Sequence, residues 1–128
     1  MSKTIHQEVT LHATPQQVYA ALTDSEIFAA ISGAPAKIGH EAGSAFSCFA
    51  GRIAGRQIEL VPNQRIVQAW RAGAWPEGSY SLVKLELHGS GGQTRLVLDH
   101  SAFPPEMLPH LEGGWHKMYW DPLKKHFA

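Results

Sequence analysis

The chain has 128 residues, 44% of them hydrophobic and 17% charged, enough to bury one core and too few for several. Eleven Lys and Arg balance eleven Asp and Glu, so no general field steers the molecule toward nucleic acid or an acidic membrane. A lone cysteine, Cys48, excludes an intrachain disulfide framework, and no stretch approaches the roughly 18 apolar residues of a membrane span. The opening MSKTIHQEV has no apolar run of signal-peptide length, and the expected compartment is cytoplasmic.

KTIHQEVTLH, 3–12, alternates with Ile5, Val9 and Leu11 on one side and is interrupted at Gln7, a pattern that predicts a first strand. TPQQ at 14–17 follows with the marks of a helix start: Thr14 caps, Pro15 loses nothing at the first helical position, and Gln17 can return the bond. Val18, Ala21 and Leu22 form the apolar side of that short helix. A second, capped by Thr23 or Asp24, turns Ile27, Phe28 and Ile31 inward and ends near Gly33.

From residue 34 the period changes to two. Strands are expected around 35–41, through Phe46, Cys48 and Ala50, and at 56–61, with Gly51 or Gly55 opening the turn before the last of these. IVQAWR at 66–71, SYSLVKLELH at 79–88 and TRLVLDHSA at 94–102 continue an antiparallel meander; GSGGQ at 89–93 is its turn and not a phosphate loop. After Pro104 and Pro105, residues Leu108, Leu111, Trp115, Met118, Tyr119 and Leu123 fall on one stripe roughly 140° wide at helical spacing. One long helix is expected there, bent at Gly113-Gly114 and Pro122. The order β-α-α-β(5–6)-α defines an α+β architecture.

Several stretches together resemble the Aha1-type branch of the START-like (SRPBCC, helix-grip) superfamily, related to the C-terminal domain of the eukaryotic activator of Hsp90 ATPase. They are TPQQVYAALTDSE at 14–26, APAKIG and GSAFSCFAG within 34–51, LVPNQRIVQAWR at 60–71, WPEGSYSLVKLEL at 75–87, TRLVLDHSAFP at 94–104 and GWHKMYWDPLKKHF at 114–127. The resemblance covers nearly the whole chain, 1–128, as a single domain. It implies a strongly curved antiparallel sheet wrapped around a long C-terminal helix, with two short helices after the first strand.

No HExxH, CxxC or closely spaced His/Cys set supplies the roughly three protein ligands of a catalytic zinc site, and no cofactor motif is present. Cys48 has no neighbouring cation to activate it and reads as core. Without a nucleophile elbow or a paired acid and base, an enzyme is the least favoured reading. Large aromatics with one polar handle suit a pocket wall, and the candidate ligand-binding residues are Phe46, Trp70, Tyr80, His100, Trp115 and Tyr119. Trp75, in the AGAWPEG loop, is the candidate anchor for a partner protein. The first functional expectation is therefore a non-enzymatic domain that binds a hydrophobic or aromatic small molecule, or a lipid, between sheet and helix. The alternative is a module for an Hsp90-type chaperone or for stress response. Neither requires nucleic acid or a membrane span, and either suits a monomer or a homodimer.

Overall fold

The computed structural model describes residues 3–128. Strand β1, Thr4–Leu11, leads into helices α1, Pro15–Thr23, and α2, Ser25–Ser32. The capping box forms as the sequence requires: the Gln17 amide donates to Thr14 Oγ1 at 3.3 Å and the Thr14 amide to Gln17 Oε1 at 2.9 Å. Asp24 caps α2 by accepting from the Ile27 amide, and Gly33 ends it in the left-handed region at φ 76°.

Six strands follow: β2 Lys37–Ile38, β3 Ala45–Cys48, β4 Ile53–Val61, β5 Arg65–Ala72, β6 Ser81–Ser90 and β7 Gln93–Ser101. All pairings are antiparallel, and the sheet order is β1-β7-β6-β5-β4-β3-β2. Gly55 lies inside β4 and not in a turn, because a Cβ there would run into the Ala69 carbonyl of β5 and the Phe46 ring. A bulge between Gln57 and Glu59 leaves Ile58 unpaired and 49% exposed.

The expected wrapping is corrected by this topology. The seven-stranded sheet is open, ending in β1 on one side and the two-residue β2 on the other, and is not strongly curved or closed around a helix. So short a strand cannot carry a ladder onward toward β1. The C-terminal segment is helical without a break from Leu108 to His126, as expected, but not α-helical throughout. It runs as a 3₁₀ turn Pro105–Met107, α3 Leu108–Trp115, a π-helical turn His116–Trp120, and α4 Asp121–His126. Pro122 has no N–H and its ring would crowd the carbonyl four residues back. The widened turn accommodates it, with the Asp121 amide bonding to the His116 carbonyl.

The core lies between the inner sheet face and the helices. Ile5, Val9, Ile66, Val83, Leu85 and Leu98 meet Val18, Leu22 and Phe28 on one side and Leu111, Trp120 and Leu123 on the other. Among the described residues no element lies over the opposite sheet face, and its residues alternate with the buried ones, Leu82, Lys84 and Glu86 along β6, for example.

Candidate functional site: an aromatic cleft at one end of the sheet

Between β3 and β4, residues 49–52 make a tight turn in which Phe49, Ala50 and Gly51 all have positive φ, 55°, 57° and 88°. Two non-glycine residues in the left-handed region cost roughly 1–2 kcal/mol each. The turn is held because the Phe49 ring is buried, edge-on to Phe28 and Tyr119 at 5.5 and 5.4 Å, and because the Ala50 amide bonds to the Pro35 carbonyl. The Gly73 amide donates to the Arg52 carbonyl at 2.8 Å, tying the turn to the segment that follows β5.

Opposite this turn stand α3 and the π-helical turn. The space between is a cleft of about 980 Å³, partly open to solvent. Trp70, Trp115 and Tyr119 form its inner wall: Trp70 and Trp115 stack at 5.7 Å, and Trp115 and Tyr119 lie tilted at 4.3 Å. Gly113 and Gly114 line it from α3, and a Cβ on either would meet nothing within 4 Å. The titratable groups with basic character in its lining are Arg52, His110 and Lys117, and no Asp or Glu lines it. Among the described residues the Arg52 guanidinium and the Lys117 ammonium make no ion pair.

Behind the aromatic wall lies His100, fully buried. The Trp115 indole N–H donates to His100 Nδ1 at 3.0 Å. An indole nitrogen can only donate, so Nδ1 carries no proton and the neutral ring holds it on Nε2. That N–H faces Ser81 Oγ at 2.7 Å, and the serine hydroxyl in turn donates to the Trp70 carbonyl at 2.9 Å. Burial pushes the His100 pKa down to about 4, in keeping with a neutral ring. This chain resembles a Ser-His pair but runs the wrong way for one. Nε2 cannot take the serine proton, which is committed to a carbonyl. The network orients Trp115 and closes the wall.

The sequence candidates therefore separate. Trp70, Trp115 and Tyr119 are brought together on the cleft. Phe46 is buried beside a second void of only about 10 Å³, shared with Trp115 and Tyr119. His100 supports the wall from behind and does not line it. Tyr80 is 51% exposed on the uncovered sheet face, its ring 5.9 Å from the Arg71 guanidinium. Trp75 is not an exposed loop-tip anchor. Arg71 donates to the carbonyls of Trp75, Pro76 and Ser79, curling the loop so that the Trp75 ring lies 5.7 Å from Trp70 and is 5% exposed. Sequence reasoning missed Arg52, Lys117 and the glycine pair as cleft residues. The available signal was two adjacent glycines, poor helix formers, inside a segment whose apolar spacing is helical.

Among the described residues two buried side-chain donors have no acceptor, Trp70 Nε1 and Trp75 Nε1. Tyr119 lies near enough to Trp70 for the indole to favour its anion slightly, but no formed hydrogen bond joins them, and burial dominates by raising the phenol pKa. Among the described residues no group of three or more His, Cys, Asp or Glu could hold a metal ion, and no helix is long and apolar enough to cross a membrane.

Residues 12–128 match the family model described as "Activator of Hsp90 ATPase homolog 1-like protein". Over 120 residues the chain is 32% identical to the activator of 90 kDa heat shock protein ATPase homolog 2 of Mus musculus, covering 94% of this chain and 36% of that protein. It is 29% identical over 119 residues to the corresponding homolog 1 of Homo sapiens, covering 93% and 35%. The chain thus spans about a third of the length of the curated relatives it matches. The crystal structure of an HSP90 activator from Plasmodium falciparum superposes with a TM-score of 0.87 at 25% identity, covering 92% of this chain and 91% of that one. The solution structure of the Aha1 dimer from Colwellia psychrerythraea shares the fold, with a TM-score of 0.79 at 20% identity over 94% of this chain and 93% of that one. With nearly the whole meander and the C-terminal helices inside the matched range, the chain belongs to the Aha1-type family of activator-of-Hsp90-ATPase homologues, within the START-like superfamily.

Proposed function

We propose that this domain docks on an Hsp90-type chaperone through the uncovered face of its sheet. The observation that carries the reading is the match of 93–94% of the chain to Hsp90-activator relatives. The surface supports it. Ile58, Tyr80 and Leu82 are three of the four exposed large apolar side chains among the described residues, at 49%, 51% and 43% exposure. The β5–β6 register places Leu82 opposite Ala69 and Lys84 opposite Val67, and β4 sets Arg56 and Glu59 beside Ala69 and Val67, so apolar side chains on this face are interspersed with charged ones. Apolar groups collected on one face, rimmed by polar ones, are what a protein partner can bury. Titration calorimetry of the domain into a purified Hsp90-type chaperone tests this: saturable binding that Leu82→Glu weakens, without a change in melting temperature, is expected. No heat at any nucleotide state of the chaperone would refute the reading.

The cleft favours a second reading, closer to the first expectation from sequence: a hydrophobic or aromatic small molecule held between α3 and the sheet. Its volume and aromatic wall are of the kind that enclose most of a drug-sized compound. A thermal-shift series with lipids and aromatic compounds checks it, a rise in midpoint that scales with ligand concentration being the expected result.

A further inference from the structure

Resting on that second reading, we infer that the cleft selects aromatic organic anions, with Arg52 and Lys117 holding a carboxylate or sulfonate at the mouth while the ring system lies against Trp70, Trp115 and Tyr119. The charge of the lining is one-sided. Arg52 approaches from the β3–β4 turn and Lys117 from the π-helical turn, so cations flank the opening from both walls, with His110 beside them and no carboxylate in the lining. Among the described residues three of the other Lys and Arg side chains are ion-paired, Arg65 with Glu59, Arg95 with Glu8, and Lys84 with Glu86 and Asp99, and the rest are not. It is the absence of a carboxylate in the lining that sets the cleft apart. Arg52 and Lys117 are left without such partners among the described residues.

The inner wall supplies what an aromatic body needs. Trp70, Trp115 and Tyr119, only 3%, 2% and 8% exposed, back the cleft on rigid supports, because Trp115 is fixed by His100 and Trp70 by its contacts with Trp75 and His100 at 5.7 and 4.9 Å. The partly exposed Ile53, Ala72 and Met118 add apolar surface to the lining. The unsatisfied Trp70 Nε1, buried beside Tyr119, is a donor still in need of an acceptor. The far wall is glycine at 113 and 114, where any other residue would project a side chain into open space. Those positions keep the cleft wide at some cost in helix stability. A neutral aromatic gains the wall alone, and a cationic one meets like charge at the mouth. An anion gains both wall and mouth, through charge-assisted contacts with two exposed cations that salt screens.

Two probes with the same aromatic body separate the claims: 8-anilino-1-naphthalenesulfonate and its neutral counterpart, N-phenyl-1-naphthylamine. Binding to the full chain is followed by calorimetry and by quenching of tryptophan emission. The sulfonate is expected to bind at one site about tenfold more tightly than the neutral amine at low salt, a difference of about 1.4 kcal/mol. The gap is expected to close in the Arg52→Ala, Lys117→Ala double variant and at high ionic strength. In Gly114→Leu, both probes are expected to lose affinity while the melting temperature holds or rises. Equal affinity of the two probes, or a gap untouched by the double variant, would overturn the anion selectivity and leave an apolar cleft standing. Failure of both probes to bind at one site, or binding indifferent to Gly114→Leu, would overturn the cleft reading and the selectivity with it.

Discussion

The Trp120 indole donates to the Gln7 side-chain oxygen at 2.7 Å, across 113 residues of chain. The same amide donates through Nε2 to the Glu112 carbonyl at 3.1 Å. One polar side chain on the inner face of β1 thus satisfies both a buried indole and a backbone carbonyl in the last turn of α3, just before the π-helical turn. It fastens the C-terminal helices to the edge of the sheet.

Replacing Gln7 by Leu keeps the alternation of β1 and removes both bonds. The indole of Trp120, a residue 1% exposed, is left without its acceptor. A loss of about 2 kcal/mol is expected, read as a lower urea midpoint with an unchanged m-value. Unchanged stability would show that the clamp is incidental.

Buried His100 makes stability depend on acid. Its folded pKa is lowered to about 4 by burial, against an ordinary value of 6.5, so below pH 6.5 the unfolded chain takes up a proton that the folded one refuses. Stability therefore falls as pH drops from about 6.5 toward 4, by up to about 3 kcal/mol. Surface His6 acts oppositely. Its ring nitrogens face Asp99 at 2.7 Å and Glu8 at 3.0 Å, and these bonds, Asp99 first, raise its pKa. Its contribution is present below 6.5 and is lost as pH rises through the raised value. Urea midpoints from pH 7.5 to 4.5 are expected to fall in the native chain and to flatten in His100→Gln, whose amide can accept from Trp115 and donate to Ser81.

The glycine pair of α3 carries a stability cost that alanine removes. Neither glycine has positive φ, and a Cβ at either meets open space. Gly113→Ala and Gly114→Ala are each expected to stabilise by about 0.5–1 kcal/mol, visible as a higher thermal midpoint.

Cys48 is expected to be inert. It is 4% exposed and burial pushes its thiol up to about 12. Reaction with a disulfide reagent at pH 7.5 should be roughly a thousandfold slower in the folded chain than in urea, since the thiolate is scarce and access requires opening.

What was legible in the sequence follows the range of the interaction behind it. The Thr14–Gln17 box and the Asp24 cap act over three residues, and they stand where the sequence places them. The stripe of Leu111, Trp115, Tyr119 and Leu123 is buried as its spacing requires, because helical phase survives the π-helical turn well enough to keep one face inward. Gln7 looked like a fault in β1, since its partner lies at the other end of the chain. Trp75 looked exposed because the three carbonyl contacts of Arg71 that curl its loop have no periodic signature. The wrapping of the sheet rested on the family resemblance, since alternation marks strands without fixing their lengths or curvature, and β2 has only two residues. Arg52 sits on a turn, where hydrophobic pattern says nothing about direction, and Lys117 falls opposite the apolar stripe of the C-terminal helix, the side that reads as solvent.

The most direct test of the chaperone-docking account is a methyl NMR footprint of the isotope-labelled domain during addition of an unlabelled Hsp90-type chaperone. Ile58 and Leu82 report on the uncovered sheet face, Ile53 and Leu111 on the cleft. The account requires the Ile58 and Leu82 methyl signals to shift or broaden at saturation while those of Ile53 and Leu111 stay in place. Signals unmoved everywhere, or movement confined to Ile53 and Leu111, would contradict it.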